Sequence, residues 1–124
     1  MHDQPSATEL LRAVQEFIRE HAMPQLDGHA AFHARVAANV LGIVERELEL
    51  GPQFAAEERE RLRELHQSDG ELETLNRELC ARIRSGELTP GTPGLMDHLW
   101  QTTLAKLAID QPNYAAYRKS IESS

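Results

Sequence analysis

Cysteine is nearly absent from this chain of 124 residues, because Cys80 is the only one. A single cysteine excludes an intrachain disulfide and a zinc site closed by cysteine ligands within one chain. Nothing nearby supplies the positive field that activates a thiol. We therefore expect Cys80 to be a small buried filler on a helix rather than a nucleophile.

Acidic residues outnumber basic residues in this chain. The chain has 13 Lys and Arg against 20 Asp and Glu, a formal net charge of -7, which argues against a nucleic-acid binder and against a protein held on anionic lipid. No window approaches the run of about 18 apolar residues that a membrane span needs, and the first residues lack the pattern of a leader peptide. We expect a cytoplasmic protein with no nucleic-acid and no membrane partner.

Sequence motifs for catalysis are also lacking. No serine lies in a Gly-x-Ser-x-Gly elbow, and the loop Pro90–Gly94 lacks the Gly-Lys-Ser/Thr ending of a phosphate-binding loop. His29 and His33 have the i, i+4 spacing of a zinc-binding pair, but the glutamate between them and a clear third ligand are missing. We expect no catalytic residue, no metal and no cofactor in this chain alone.

Helix start and stop signals divide the chain into five or six helices. Ser6 and Glu9 form a capping box at the first helix, and Pro24 follows its end. Gly51 and Pro52 end the second helix, and Gly86 closes the fourth. The predicted helices cover about residues 7–21, 29–50, 54–66, 72–85, 93–111 and 113–121.

The composition agrees with an all-α fold. Hydrophobic residues make up 40% of the chain and aromatic residues 5%, so the core must be built mainly from Leu, Ile, Val and Ala. The sequence shows no strand alternation and no internal repeat. It predicts a single-domain helical bundle over residues 1–124, with disordered or frayed ends at about 1–5 and 120–124.

Two predicted helices carry polar side chains within their apolar arcs. The apolar arc of the second helix includes Phe32, Val36 and Val40, and it also holds His29 and His33. We expect this wide arc to be covered partly by its own bundle and partly by a partner or a second copy. Lys106 and Asp110 lie within the corresponding arc of the fifth helix, one turn apart. Since polar groups on a core face need partners, we expect His33, Asn39, Lys106 and Asp110 to meet where the two helices cross. Such a cluster is either a structural network that sets helix register or a ligand or partner site.

A seam of Arg35, Gly42 and Arg46 follows the edge of the second helix. Glycine inside a helix costs about 1 kcal/mol relative to alanine unless something approaches closely. Two arginines beside such a gap can hold a phosphate or a partner's carboxylate in bidentate fashion. The alternative is that Arg46 pairs with neighbouring acidic residues in solvent.

Several segments resemble a family of small helical bacterial proteins that is classed as a domain of unknown function. The likeness covers about Pro5 to Tyr117, and it is carried by residues 26–28, 32–39, 45–47, 79–86 and 104–114. Members of that family look like companions of kinases with the aminoglycoside-phosphotransferase fold and of acyl-CoA dehydrogenases. One is similar to the small subunit of the two-part kinase that phosphorylates 4-hydroxyacyl-CoA in levulinate breakdown.

The resemblance implies a non-catalytic accessory subunit of such a kinase, and it supplies no catalytic residues. One alternative is a small-molecule binder or enzyme with His33 as acid or base and with Arg35, Arg46 or Lys106 holding an anion such as a CoA phosphate. The other alternative is a self-associating structural module, a homo-oligomer with its interface on the second helix.

Overall fold

The computed structural model describes residues 5–122, and its regular elements are helical throughout that range. The expected all-α fold class is confirmed. Residues 1–4 and 123–124, which belong to the predicted frayed ends, lie outside the described residues, whereas residues 120–122 belong to the last helix. The five α-helices are α1 (Ala7–Phe17), α2 (Gly28–His66), α3 (Leu72–Arg84), α4 (Leu95–Asp110) and α5 (Ala115–Glu122).

The first helix begins as predicted and ends differently. Ser6 is its N-cap, and the Ser6 hydroxyl accepts a hydrogen bond of 3.2 Å from the Glu9 amide. After Phe17 the backbone continues as a π-helical turn, Ile18–Ala22, and then as a 3₁₀ turn, Met23–Gln25, which includes Pro24. The helical path is therefore longer than the predicted 7–21, but only its first part has α geometry.

The second helix does not stop where the sequence predicts. Helix α2 runs for 39 residues and contains Pro52, so the two helices predicted for 29–50 and 54–66 are one. A proline usually excludes helical geometry from the preceding residue because its ring meets that residue's Cβ and amide. The preceding residue here is Gly51, which has no Cβ, and this removes part of the clash. The helix loses one backbone hydrogen bond at Pro52 and still continues.

The remaining helix ends follow the turn signals closely. Gly86 has a φ of 83° just after α3, in the left-handed region that ends many helices. Helix α4 begins at Leu95, directly after Gly94, whose φ is 90°. This start is two residues later than the Thr92-Pro93 signal predicts. Within the intervening loop the Thr89 amide donates to the Thr92 hydroxyl and the Thr92 amide donates to the Thr89 carbonyl, both at 2.9 Å. The loop is thus held by its own threonines.

The chain divides into two compact units, Met1–Gly51 and Pro52–Ser124. The second unit has a leucine core in which Leu62 and Leu75 are almost fully buried. Leu79, Leu88 and Leu95 complete that core. In the described part of the first unit the only buried hydrophobic residue is Ala38. The extent of the domain, 1–124, stays a prediction.

Candidate functional site

Helix α1 and the first part of α2 form a hairpin that is held by polar contacts. Arg12 Nη2 lies 3.0 Å from carboxylate oxygens of both Glu45 and Glu49. Gln15 Nε2 donates to the other oxygen of Glu45 at 2.9 Å. The hydrogen bond from Arg12 is the largest cause that holds the pKa of Glu45 below its ordinary value. We call these four residues the polar lock of the hairpin.

Gly42 lets the two helices approach each other closely. It is buried beside Ala38, and a Cβ at this position would lie 3.3 Å from both Gln15 Oε1 and Arg46 Nη1. The close approach that a helical glycine predicts is therefore present, and the side chains that make it belong to the hairpin itself. Arg35 is exposed and Arg46 is half-buried. A role of Arg35, Gly42 and Arg46 in holding a partner or an anion stays a prediction.

The apolar side chains of α2 lie outside the hairpin contact. A row at four-residue spacing is 41–56% exposed, and we call it the apolar ridge; it consists of Phe32, Val36, Val40, Val44 and Leu48. Among the described residues no helix buries this part of the arc, and its coverage by a partner or a second copy stays a prediction. Helix α1 instead packs on the row of small residues around Ala38 and Gly42, where helices can approach most closely. Leu10, Val14 and Phe17 of α1 are also about half-exposed.

The four residues of the expected polar core are exposed. His33 stacks near His29, with ring centroids 6.5 Å apart, and Asn39 Oδ1 accepts a 3.0 Å hydrogen bond from Arg19 Nη2. Lys106 and Asp110 are on the exposed side of α4. The prediction that these four residues are buried is therefore wrong, because the helix faces that carry them are not core faces. That the four meet at one site stays a prediction.

Two histidines within residues 52–122 have buried side chains, and each is bonded to an arginine. His98 is 2% exposed, and its Nδ1 accepts a 3.0 Å hydrogen bond from Arg61 Nε. Arg61 Nη2 also donates to the Thr102 hydroxyl at 3.1 Å. Because Nδ1 is an acceptor, His98 is neutral in this arrangement. Burial, and then the charge of Arg61, lower the pKa of His98 from its ordinary value.

The second histidine has the same relation to a second arginine. The His66 side chain is fully buried, and its Nε2 lies 3.0 Å from the Leu75 carbonyl, to which it donates. Its Nδ1 then accepts from Arg82 Nη1 at 2.7 Å, and Arg82 Nη1 also donates to the Leu65 carbonyl. The carbonyl partner of Nε2 fixes the tautomer of His66 and leaves Nδ1 as an acceptor.

Arg61 and Arg82 line one pocket of about 220 Å³, which we call the arginine pocket. Its walls combine the second part of α2, the end of α3, the loop that follows it, and the start of α4. The lining residues are Arg61, Glu64, Leu65, Arg82, Leu88, Thr92, Pro93, Gly94 and Asp97. Two arginines that are hydrogen-bonded to histidine rings beside a concave space can bind an anionic group.

These histidines and arginines were not predicted from the sequence. A signal was available for His98, because it lies in the row Leu95, Thr102, Ala105 and Ile109 at spacings of three and four along α4, and this row is the buried side of the helix. No comparable signal pairs Arg61 with His98, which are 37 residues apart. The expectation that Cys80 is buried is wrong as well, because it is exposed on α3.

Residues 5–122 contain neither a cluster of metal-ligating side chains nor a helix suited to span a membrane. Within residues 5–122 no group of three or more His, Cys, Asp or Glu side chains is arranged to hold a metal ion. No helix in the same range combines the length and the apolar character that crossing a membrane requires.

Comparison with known proteins identifies a family. The family model described as a domain of unknown function, DUF6285, matches residues 24–114. This range contains the apolar ridge and the whole lining of the arginine pocket, and it leaves out α1 and α5. No curated protein and no solved structure matches the chain.

Proposed function

The chain belongs to the DUF6285 family, and we propose that it is a non-catalytic accessory subunit that docks through its hairpin on a kinase. The kinase has the aminoglycoside-phosphotransferase fold and acts on hydroxyacyl-CoA in acyl-CoA catabolism. The apolar ridge of α2 is the single observation that supports docking. The identity of the kinase rests on the resemblance of residues 26–28, 32–39, 45–47, 79–86 and 104–114 to companions of such enzymes.

The apolar ridge has the composition of an interface centre. Five apolar side chains, each about half-exposed, lie along one helix without a charged residue among them. Covering one Val or Leu that is half-exposed gains on the order of 1 kcal/mol, so the ridge favours a bound state over a solvated one. Charged residues are depleted from interface centres and aromatic residues enriched, and Phe32 supplies the aromatic anchor.

The polar lock orders the hairpin in the free chain, before a partner binds. Arg12 and Gln15 already donate hydrogen bonds to Glu45 in the free chain, so docking does not have to order them. A surface that is ordered in advance loses less conformational entropy on binding. The hairpin therefore uses its polar residues for internal structure and leaves its apolar residues for a partner.

Reconstitution of the kinase tests the function. The kinase is purified with and without this chain, and phosphorylation of a 4-hydroxyacyl-CoA is measured at equal kinase concentration. We expect activity or kinase stability to rise severalfold with the chain and to reach a plateau at a fixed stoichiometry. Full activity and unchanged stability of the kinase alone would contradict the proposal.

A second copy of the chain is the rival occupant of the apolar ridge. Light scattering of the purified chain distinguishes the two occupants. We expect a monomer, or a weak dimer that the kinase dissociates. A stable dimer that persists in the presence of the kinase would replace the accessory subunit by a self-associating module.

A further inference from the structure

We propose that the arginine pocket binds the carboxylate group of a small aliphatic ligand. The pocket belongs to the second unit, and its lining contains no residue of the apolar ridge. The inference therefore goes beyond the proposed docking function and does not depend on it.

The charge of Arg61 is not neutralised by any carboxylate within ion-pair distance in residues 5–122. Its two hydrogen-bond partners, His98 Nδ1 and the Thr102 hydroxyl, are both neutral. These bonds use Nε and Nη2 and fix the plane of the guanidinium group. Nη1 remains for another acceptor, and an oxyanion is the partner that a guanidinium group prefers.

Arg82 supplies a second cation on the same pocket. Its Nη1 is held by the Leu65 carbonyl and by His66 Nδ1. Its Nε is buried and makes no hydrogen bond, although it lies 3.3 Å from a carboxylate oxygen of Glu87. Glu87 therefore offsets part of the charge of Arg82, and Arg61 is the arginine of the pocket without a carboxylate at ion-pair distance in residues 5–122.

The charges of the pocket favour a carboxylate over a phosphate. Glu64 and Asp97 line the pocket together with the two arginines, so the formal charge of the lining is two minus two, or zero. A group with a single negative charge loses less hydration on entering the pocket than a doubly charged one does. Phosphate carries close to two charges near neutral pH, and a lining without net charge does not offset its larger loss of hydration.

The rest of the pocket suits a short hydrocarbon chain. Leu65 and Leu88 contribute apolar surface, and Pro93 lies between Thr92 and Gly94 at the start of α4. A volume of about 220 Å³ has room for several non-hydrogen atoms beyond the carboxylate, since one water molecule takes about 30 Å³ of liquid. We therefore use butyrate as the probe.

Titration of the ¹⁵N-labelled full chain with sodium butyrate tests the proposal. Sodium chloride at the same ionic strength and sodium phosphate are the parallel arms. We expect saturable shifts at the amides of Thr92 and residues 94–97 and at Arg61 Nε–Hε, with a dissociation constant on the order of millimolar, as a small ligand with few contacts allows. Equal shifts with chloride, or tighter binding of phosphate than of butyrate, would overturn it.

Arginine-to-lysine variants assign the site while keeping each charge. Arg61→Lys and Arg82→Lys each remove the bidentate fork, and we expect either change to weaken butyrate binding about tenfold. Arg77→Lys is the matched control, because Arg77 is exposed on α3 and pairs with Glu73 away from the pocket. If Arg61→Lys does not fold, Arg82→Lys decides alone. Unchanged binding in a folded pocket variant would overturn the proposal.

Discussion

Arg61 Nε donates a hydrogen bond of 3.0 Å to Nδ1 of His98, and this bond joins α2 to α4 within the second unit. The bond requires a neutral imidazole, because protonation of Nδ1 would place two donors against each other. It also orients a guanidinium group whose charge no carboxylate of the described residues neutralises at ion-pair distance. This hydrogen bond thus fixes both the protonation state of His98 and the orientation of the Arg61 guanidinium group.

The stability of the second unit should depend on pH through His98. Burial first, and then Arg61, lower the pKa of His98 in the folded chain, while Glu58 and Asp97 raise it and His66 lowers it. Because the folded state resists a proton that the unfolded chain accepts, stability is complete above the unfolded value of about 6.5 and falls as the pH decreases below it.

Urea unfolding between pH 7.5 and 5 measures this effect, and His98→Asn removes the titrating group. We expect the stability of the variant to fall less steeply below pH 6.5 than that of the wild type. Thr102→Val is the control, because it removes one bond of Arg61 and keeps His98. A variant without His98 whose pH dependence equals that of the wild type would show that this histidine is not responsible.

Substitutions at Gly42 test whether α1 packs closely against α2 at this residue. A Cβ would meet only the ends of two flexible side chains, Gln15 and Arg46, at 3.3 Å. We expect Gly42→Ala to raise stability by up to about 1 kcal/mol through helix propensity. Gly42→Leu should separate α1 from α2, which is measured as loss of amide-exchange protection in residues 7–17. Equal protection in both variants would contradict the close packing.

Pro52→Ala distinguishes one continuous helix from two. In a continuous α2 the alanine restores a backbone hydrogen bond and removes the clash of the proline ring, so we expect stability to rise by about 1–3 kcal/mol. If a new helix began at this point, proline would suit its first turn and alanine would bring no gain or a loss. Chemical denaturation followed by circular dichroism provides the measurement.

Leu75 is the sharpest test of the leucine core. It is 1% exposed between Leu62 and Leu79, so Leu75→Ala should lower the free energy of unfolding by about 2–5 kcal/mol. Ile83, on the same helix, is 40% exposed, and Ile83→Ala should cost less than about 1 kcal/mol. Similar losses for the two variants would mean that the buried side of α3 is assigned wrongly.

The sequence predicted where helices exist better than which of their faces are buried. Ser6 and Gly86 act through local chemistry, and the structure confirms both signals. Helix α4 is apolar on several sides, with Met96, Leu99 and Trp100 all exposed, so the spacing of the row that includes His98 was one of several apolar patterns on this helix. At α2 the small side chains of Ala38 and Gly42 gave closer packing than the larger apolar ones.

Other features depend on residues far apart in the chain. The hairpin contact between Arg12 and Glu45 spans 33 residues, and the contact between Arg61 and His98 spans 37. Each of these side chains alone is typical of an exposed helix or of a filled core. Only the packing of the helices brings them together, so no spacing rule within one helix could have predicted the polar lock or the arginine pocket.

Binding of the kinase to ridge variants measures whether the apolar ridge is the docking surface. Val40→Glu and Val44→Glu each place a charge in the apolar ridge, and Met96→Glu makes the same kind of change at a half-exposed residue of α4. We expect each ridge variant to keep its helix content and to bind the kinase about 100-fold more weakly than the wild type does. The control Met96→Glu should bind the kinase as the wild type does. Wild-type affinity in folded Val40→Glu and Val44→Glu would contradict docking at the apolar ridge.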